Sequence, residues 1–544
     1  MKTQRQTIKL RATWWHTWFL LMAFTAAHAN ATAANPNMIF ILVDDLRYDG
    51  MGFLSPEINT PHIDNLASNG VYLPNAVVTT SLCSPSRATI LTGLSARNHG
   101  IVDNNDAPET GLTFFPAHLQ KAGYDTAFVG KWHMGRSDDS PRPGFDHWVS
   151  FKGQGFYNPT DRIPADLVAK GVRHQLNVNG TLVDQRGYMT DELTDYALDW
   201  LRAPERSQDP FFLYLSHKAV HSNVTPAPRH TDQYAEGPIP MPDGPAEISA
   251  DVEAEGAGKP MWVHNQRNSW HGIDFAYHSD APIEAYVRRY FATLSAVDDG
   301  IGRIVDLLKQ RGLLNNTIIV FFSDNGFLFG EHGLIDKRNA YEPSVRVPML
   351  VYGPGRIPAG TVMPNRVRNL DLAPTFLDFG DAHIPEHMEG RSLKPLLTGV
   401  TDPQQDPGTD FVYEYYWEWT FPQTPTTFSI TRDEIKYIQY HGLWDLEELY
   451  DLRKDPEERV NLIDDERYHN ALIDRRAALY QALANRDGVH AVPYTERKAA
   501  GLRFRRRSGS DTADFPEHFL RDADDTDLFT GFAPPQRLPK KDQN

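Results

Sequence analysis

The run Met38-Ile39-Phe40-Ile41-Leu42-Val43 is apolar at every position and stops abruptly at Asp44-Asp45. Successive side chains of a strand face opposite sides of its sheet. A run without polar alternation therefore buries both faces, as strands do inside a helix-covered parallel sheet. The same grammar recurs along the chain. Thr126-Ala127-Phe128-Val129 leads into Gly130-Lys131, Phe211 to Leu215 into Ser216-His217, and Thr317 to Phe322 into Ser323-Asp324-Asn325. Amphipathic stretches lie between these runs, Tyr188 to Leu201 and Tyr290 to Leu308, and predict helices alternating with strands. The expected fold is α/β, a large, mostly parallel sheet sandwiched by helices. In such a sheet ligands bind beyond the carboxyl ends of the strands, where this chain places its polar residues.

From about Thr401 the pattern changes to aromatic alternation (Phe411 to Trp419), a strand-like run (Ile435 to Tyr440) and a helical stretch (Ala471 to Ala484). This predicts a catalytic domain over residues 36–400 and a smaller α+β subdomain over 401–507. The Asp-, Pro- and Gly-rich residues 508–544 form a surface or partly disordered tail. At the other end, Lys2, Arg5, Lys9 and Arg11 precede an apolar run from Trp14 to Phe24 and the small residues Ala27-His28-Ala29. That is the grammar of a secretory signal peptide over residues 1–29, and the run is too short to be a membrane anchor. The expected location is the periplasm or the exterior.

With 40% hydrophobic residues the chain can bury a large core, and its net charge of −17 argues against nucleic acid as a partner, since binding a polyanion needs Lys and Arg. An anionic substrate would need a local basic pocket within an acidic shell. The single cysteine rules out an intramolecular disulfide and any multi-cysteine zinc cluster. By default a lone cysteine is a small buried hydrophobe.

Its surroundings point elsewhere. Ser81-Leu82-Cys83-Ser84-Pro85-Ser86-Arg87-Ala88-Thr89-Ile90-Leu91-Thr92-Gly93 resembles the signature of formylglycine-dependent sulfatases, of the alkaline phosphatase superfamily, in which Cys-x-Pro-x-Arg directs oxidation of the cysteine to an aldehyde. Pro85 is expected to limit helix initiation, and Arg87 to place a cation beside the modified side chain. The resemblance extends over about Met38 to Leu462. It implies that Asp44, Asp45, Asp324, Asn325 and modified Cys83 bind one Ca²⁺, an all-oxygen set suited to a hard cation. Gly130-Lys131-Trp132-His133 matches a family element and contributes Lys131 and His133. His221 and Lys337 match the sulfate-contacting pair. His217, four residues before His221, competes for that role, but the offset of His221 from the strand matches, which leaves His217 as a structural histidine or a partner that supports the site. Tyr341 to Pro348, Asp371 to Thr375 and Leu449 to Leu452 read as framework.

The mechanism implied by the resemblance starts with in-line attack on sulfur by one hydroxyl of the hydrated formylglycine. Asp324 accepts the proton, while Ca²⁺, Lys131 and Lys337 stabilise the sulfonyl oxygens. Arg87 holds the diol, and His221 with Lys337 protonates the departing alcohol. His133 then deprotonates the second hydroxyl to release sulfate. A formylglycine-generating enzyme is the implied maturation partner. Asn98 to Asn105 and Leu176 to Gly180 look similar to glucosamine-6-sulfatases and other bacterial glycan sulfatases, so the expected substrate is a sulfated carbohydrate, algal or glycosaminoglycan. The alternatives are a broad arylsulfatase, a phosphonate or phosphodiester hydrolase of the same superfamily, or an inactive glycan-binding relative.

Overall fold

The computed structural model describes residues 35–104, 111–135, 138–222, 224–242, 258–266, 283–406, 408–418, 420–441 and 446–484. The expected signal peptide, the tail, Asn105 and Trp419 lie outside them. A ten-stranded sheet forms the body. Its centre is five parallel strands in the spatial order Thr317–Ser323, Asn37–Val43, Phe211–Ser216, Asp125–Gly130, His147–Ser150. Met349–Tyr352 adds antiparallel on one side, and Gln175–Val178 with Thr181–Asp184 on the other.

The unbroken apolar runs behave as their composition requires. Ile39, Ile41 and Val43 enter one core with Leu213, Leu215, Ile319 and Phe321, beneath the helices Met189–Arg202 and Ile283–Gln310. Met38, Phe40 and Leu42 enter a second core on the opposite face with Phe212, Val320 and Phe322, against Cys83–Thr92 and Leu372–Phe379. Both faces are buried, so period-two alternation has no polar side to mark. No helix among the described residues is long and apolar enough to cross a membrane.

Register decides what the sheet presents. Val43 pairs with Ser323, Leu42 with Ser216, and Ser216 with Gly130. The residues that follow, Asp44, Asp324, His217 and Lys131, therefore emerge along one edge. Gly130 makes that edge possible. Its φ is 128°, and a Cβ there would lie 1.8 Å from the carbonyl oxygen of Ser216, which accepts the Lys131 N–H at 2.8 Å. Gly130→Ala is expected to cost on the order of 3 kcal/mol, by backbone strain plus overlap with main chain that cannot move aside. Urea unfolding measures this, and an unchanged midpoint would refute it.

A separate four-stranded antiparallel sheet follows, Phe411–Tyr415, Thr426–Arg432, Ile435–His441 and Glu448–Asp451, with the helix His469–Ala484 on one face. The aromatic stretch from Phe411 stays a strand only to Tyr415. Phe411, Tyr413 and Tyr415 share a core with Val77, Leu82, Leu328 and Leu334, so the small sheet packs on the segment leading to Cys83.

Candidate active site

Cys83 is the first residue of the helix Cys83–Thr92, which ends on Gly93 in the left-handed conformation. Pro85 does not delay the helix, contrary to the expectation from sequence. It lies in the first turn, where a helix has no internal acceptor for the N–H that proline lacks. The Asn104 side-chain oxygen accepts the Ser84 N–H at 3.0 Å, satisfying one of the orphan donors beside Cys83. One turn later Arg87 leaves the helix on the same side. Its Nε donates to Asp324 Oδ2 at 2.9 Å, and Nη1 to the Lys131 carbonyl at 2.7 Å and Ser216 Oγ at 2.6 Å.

Asp44, Asp45 and Asp324 are buried and present carboxylate oxygens within 4.8 Å of one another. Asp45 has φ 63°, a costly conformation for a non-glycine residue, and Tyr290 holds it by donating its hydroxyl to the Asp45 carbonyl at 2.6 Å. Cations flank the group, with Lys131 Nζ on Asp44 and Lys337 Nζ on Asp45. Burial raises the Asp44 carboxyl, but the Lys131 and Arg87 charges outweigh it and hold it at about 2. Burial, then the Asp44 charge, push Asp324 up to about 7. Three carboxylates this close repel one another and favour a cation between them. The donor set fits a hard one. Asn325 gives its amide N–H to Asp45 Oδ1 at 2.6 Å, whereas its Oδ1 is buried with no hydrogen-bond partner among the described residues. An orphaned amide oxygen beside three carboxylates is what an oxygen-ligated Ca²⁺ or Mg²⁺ would satisfy.

Cys83 Sγ is 3.5 Å from Asp44 Oδ1 and 3.2 Å from Lys337 Nζ. Burial pushes the thiol up to about 12, so it is not a thiolate near neutral pH. His221 Nε2 is 3.9 Å from Asp45 Oδ2, and its Nδ1 is 3.2 Å from Ser222 Oγ. Burial, then Lys131 and Lys337, keep this imidazole neutral. His133, at φ 58°, has its Nδ1 3.3 Å from Ser84 Oγ, which donates to the His133 carbonyl at 2.5 Å.

All ten residues expected at the site thus line one buried edge of the sheet. Of the two competing histidines, His221 is the one beside the carboxylates. The His217 ring is also buried, but its Nδ1 has no partner among the described residues, burial lowers it to about 4, and the charge acting on it is Asp191. Sequence reasoning missed several supporting residues. Tyr157 donates its hydroxyl to the His221 carbonyl at 2.9 Å, and Lys218 Nζ lies 4.5 Å over the Tyr157 ring. Ser84, Ser216 and Lys218 sit inside motifs already singled out, a signal that could have been followed. Tyr157 lies far from any motif and carried none.

A family model described as Sulfatase matches residues 36–382, and one described as N-sulphoglucosamine sulphohydrolase, C-terminal, matches residues 330–485. The chain is 31% identical over 494 residues to an N-acetylglucosamine-6-O-sulfatase of Bacteroides thetaiotaomicron, covering 81% of this chain and 85% of the relative. A solved protein in complex with its substrate D-glucosamine-2-N,6-O-disulfate superposes with a TM-score of 0.72 at 28% identity, covering 85% of this chain and all of that one. Another, in complex with k-i-k-neocarrahexaose, superposes with a TM-score of 0.61 at 26% identity, covering 82% of this chain and 92% of that one.

Proposed function

The chain belongs to the sulfatase family and is a sulfuric ester hydrolase, and on that premise we propose that it is an exported, Ca²⁺-dependent enzyme that removes sulfate esters from carbohydrates. Cys83, oxidised to formylglycine by a formylglycine-generating enzyme, would be its nucleophile. Residues 1–29 would be a signal peptide, 36–400 the catalytic domain, 401–507 the small subdomain and 508–544 a surface tail. The observation that carries the reading is the buried arrangement around Cys83 of Asp44, Asp45, Asp324 and Asn325 Oδ1, which has no partner among the described residues, with Lys131 and Lys337 beside it. The carbohydrate class rests on the relatives, whose named substrates are sulfated sugars.

Asp44, Asp45, Asp324 and Asn325 would hold the cation. When present, Ca²⁺ would supply a Lewis acid at the sulfonyl oxygens, and the oxidised, hydrated Cys83 side chain an oxygen nucleophile. The protein's own groups do the rest. Lys131 and Lys337 place two positive charges where the sulfonyl oxygens of a bound ester would gather negative charge. Arg87, fixed by Asp324, Ser216 and the Lys131 carbonyl, lies one helical turn from Cys83 and orients its side chain. Asp324 would accept a proton from the attacking group. His221 and Lys337 lie on the side of Asp45 and donate to the departing alcohol. Burial and then the lysine charges disfavour the protonated imidazole, and a bound anion would offset the lysine part. His133, tied to Ser84 next to Cys83, takes the proton that frees sulfate.

Leaving-group chemistry tests these roles. His221→Ala is expected to lower kcat/KM about 10²–10⁴-fold on a sugar sulfate, whose alkoxide leaves poorly, and far less on 4-nitrophenyl sulfate. His133→Ala should lower kcat on both substrates alike and leave kcat/KM little changed, since it acts after the alcohol has left. Equal losses on both substrates for His221→Ala would remove it as the acid. A panel of sulfated oligosaccharides set against the aryl ester tests the substrate class, and preference for the aryl ester would make this a broad arylsulfatase.

A further inference from the structure

Lys337 does not stand on a helix or long strand. It lies just after the two-residue strand Ile335–Asp336, between two non-glycine residues with positive φ, Asp336 at 92° and Arg338 at 77°. Such a conformation persists only where its surroundings hold it. The hold comes from the residues that follow the first strand of the small C-terminal sheet. Arg338 folds back to donate Nη1 to Asp336 Oδ2, and reaches forward to donate Nε to Glu418 Oε1 at 2.9 Å. Its guanidinium lies 3.7 Å over the Phe421 ring. Tyr415, at the end of Phe411–Tyr415, donates its hydroxyl to the same Glu418 oxygen at 3.0 Å.

Asp336, Arg338 and Glu418 are all buried. Two carboxylates there face one guanidinium, and Glu418 Oε2 has no hydrogen-bond partner among the described residues. A buried pair of this kind is poor evidence for stability, because desolvation offsets its attraction, but it fixes geometry. The same sheet also grips the nucleophile side of the site. Tyr413 hydroxyl is 2.8 Å from Ser81 Oγ, which donates to the Asn339 carbonyl at 3.1 Å, and the Glu414 N–H donates to the Thr79 carbonyl at 2.8 Å.

We propose that Glu418, acting through Arg338, is a positioning residue for Lys337, so that the edge of the C-terminal sheet sets where the Lys337 ammonium stands relative to Cys83 and Asp45. The proposal rests on the reading of Lys337 as part of the active site. Glu418 itself touches neither Cys83 nor the carboxylate group. Its effect must therefore pass through the Asp336-Lys337-Arg338 backbone, and it must disappear when the Lys337 amine is absent.

A double-mutant cycle on the mature, Ca²⁺-loaded protein tests this, with N-acetylglucosamine 6-sulfate and 4-nitrophenyl sulfate as probes. Glu418→Gln keeps the shape of the side chain and removes its charge. It is expected to lower kcat on the sugar sulfate about 10–100-fold, with KM little changed and a smaller loss on the aryl sulfate. In the Lys337→Ala background the same substitution should cost nothing further. Equal losses with and without Lys337, or equal losses on the two probes, would overturn the proposal and leave the sulfatase reading intact. Full activity in Lys337→Ala alone would overturn the role given to Lys337, and this proposal with it. If Glu418→Gln does not fold, Tyr415→Phe removes one hydrogen bond to the same oxygen and carries the cycle, with an expected loss of about threefold on the sugar sulfate that vanishes without Lys337. A Tyr415→Phe loss that persists in the Lys337→Ala background would likewise overturn it.

Discussion

Cys83→Ala is expected to fold with a little-changed thermal midpoint and to lose at least about 10³-fold in kcat/KM on every sulfate ester, because it removes the proposed nucleophile. The geometry makes the expectation specific. Cys83 Sγ lies between Asp44 and Lys337, and the thiol, pushed up to about 12 by burial, has almost no thiolate to offer near neutral pH. Unmodified cysteine is therefore a poor nucleophile here, and activity should follow its conversion to formylglycine. Mass spectrometry of the peptide containing Cys83, from protein made with and without a formylglycine-generating enzyme, should show the aldehyde only where turnover is high. Fully active protein carrying only the free thiol would refute the assignment.

Chelation should abolish turnover, with a loss of about 10³-fold or more, since a Lewis acid at the sulfonyl oxygens contributes several kcal/mol to the transition state. Ca²⁺ should restore activity better than Zn²⁺, because Asp44, Asp45, Asp324 and the Asn325 amide oxygen form a hard oxygen set without a thiolate. A second readout is independent of turnover. A cation that binds only the folded chain raises its stability by about 2.7 kcal/mol at a hundredfold excess over Kd, so the thermal midpoint should climb with added Ca²⁺. In Asp324→Asn, which removes one carboxylate from the group, that climb should shrink. Undiminished activity in metal-free protein, or stoichiometric zinc by elemental analysis, would contradict the reading.

The sulfatase signature made Cys83 and Arg87 legible because a helix brings residues four apart onto one face, and both do lie toward Asp44. The same local reasoning failed at Pro85, since a proline in the first turn disturbs no internal hydrogen bond. It preferred His221 to His217 on the offset from the strand alone, without the reason the two rings part. Both follow the strand Phe211–Ser216, and the path of the chain through Lys218 to Ser222, braced by Tyr157, turns one ring toward Asp45 and leaves the other facing Asp191.

By itself the sequence determined which segments become central strands, since runs apolar on both faces are stable only inside a covered sheet, and it determined that polar residues end those strands. It also carried Cys83, the proposed nucleophile, and Arg87, which are local. Only the tertiary structure decided that Val43, Ser216, Gly130 and Ser323 stand in one register, so that carboxylates from distant segments meet at a single edge. Only there does Asn325 keep an oxygen without a partner among the described residues, and only there does Glu418 reach Arg338 across 80 residues of chain. Periodicity reports how a segment partitions between core and water. Which segments become neighbours, and in what alignment, is settled by packing among parts of the chain that no local pattern relates.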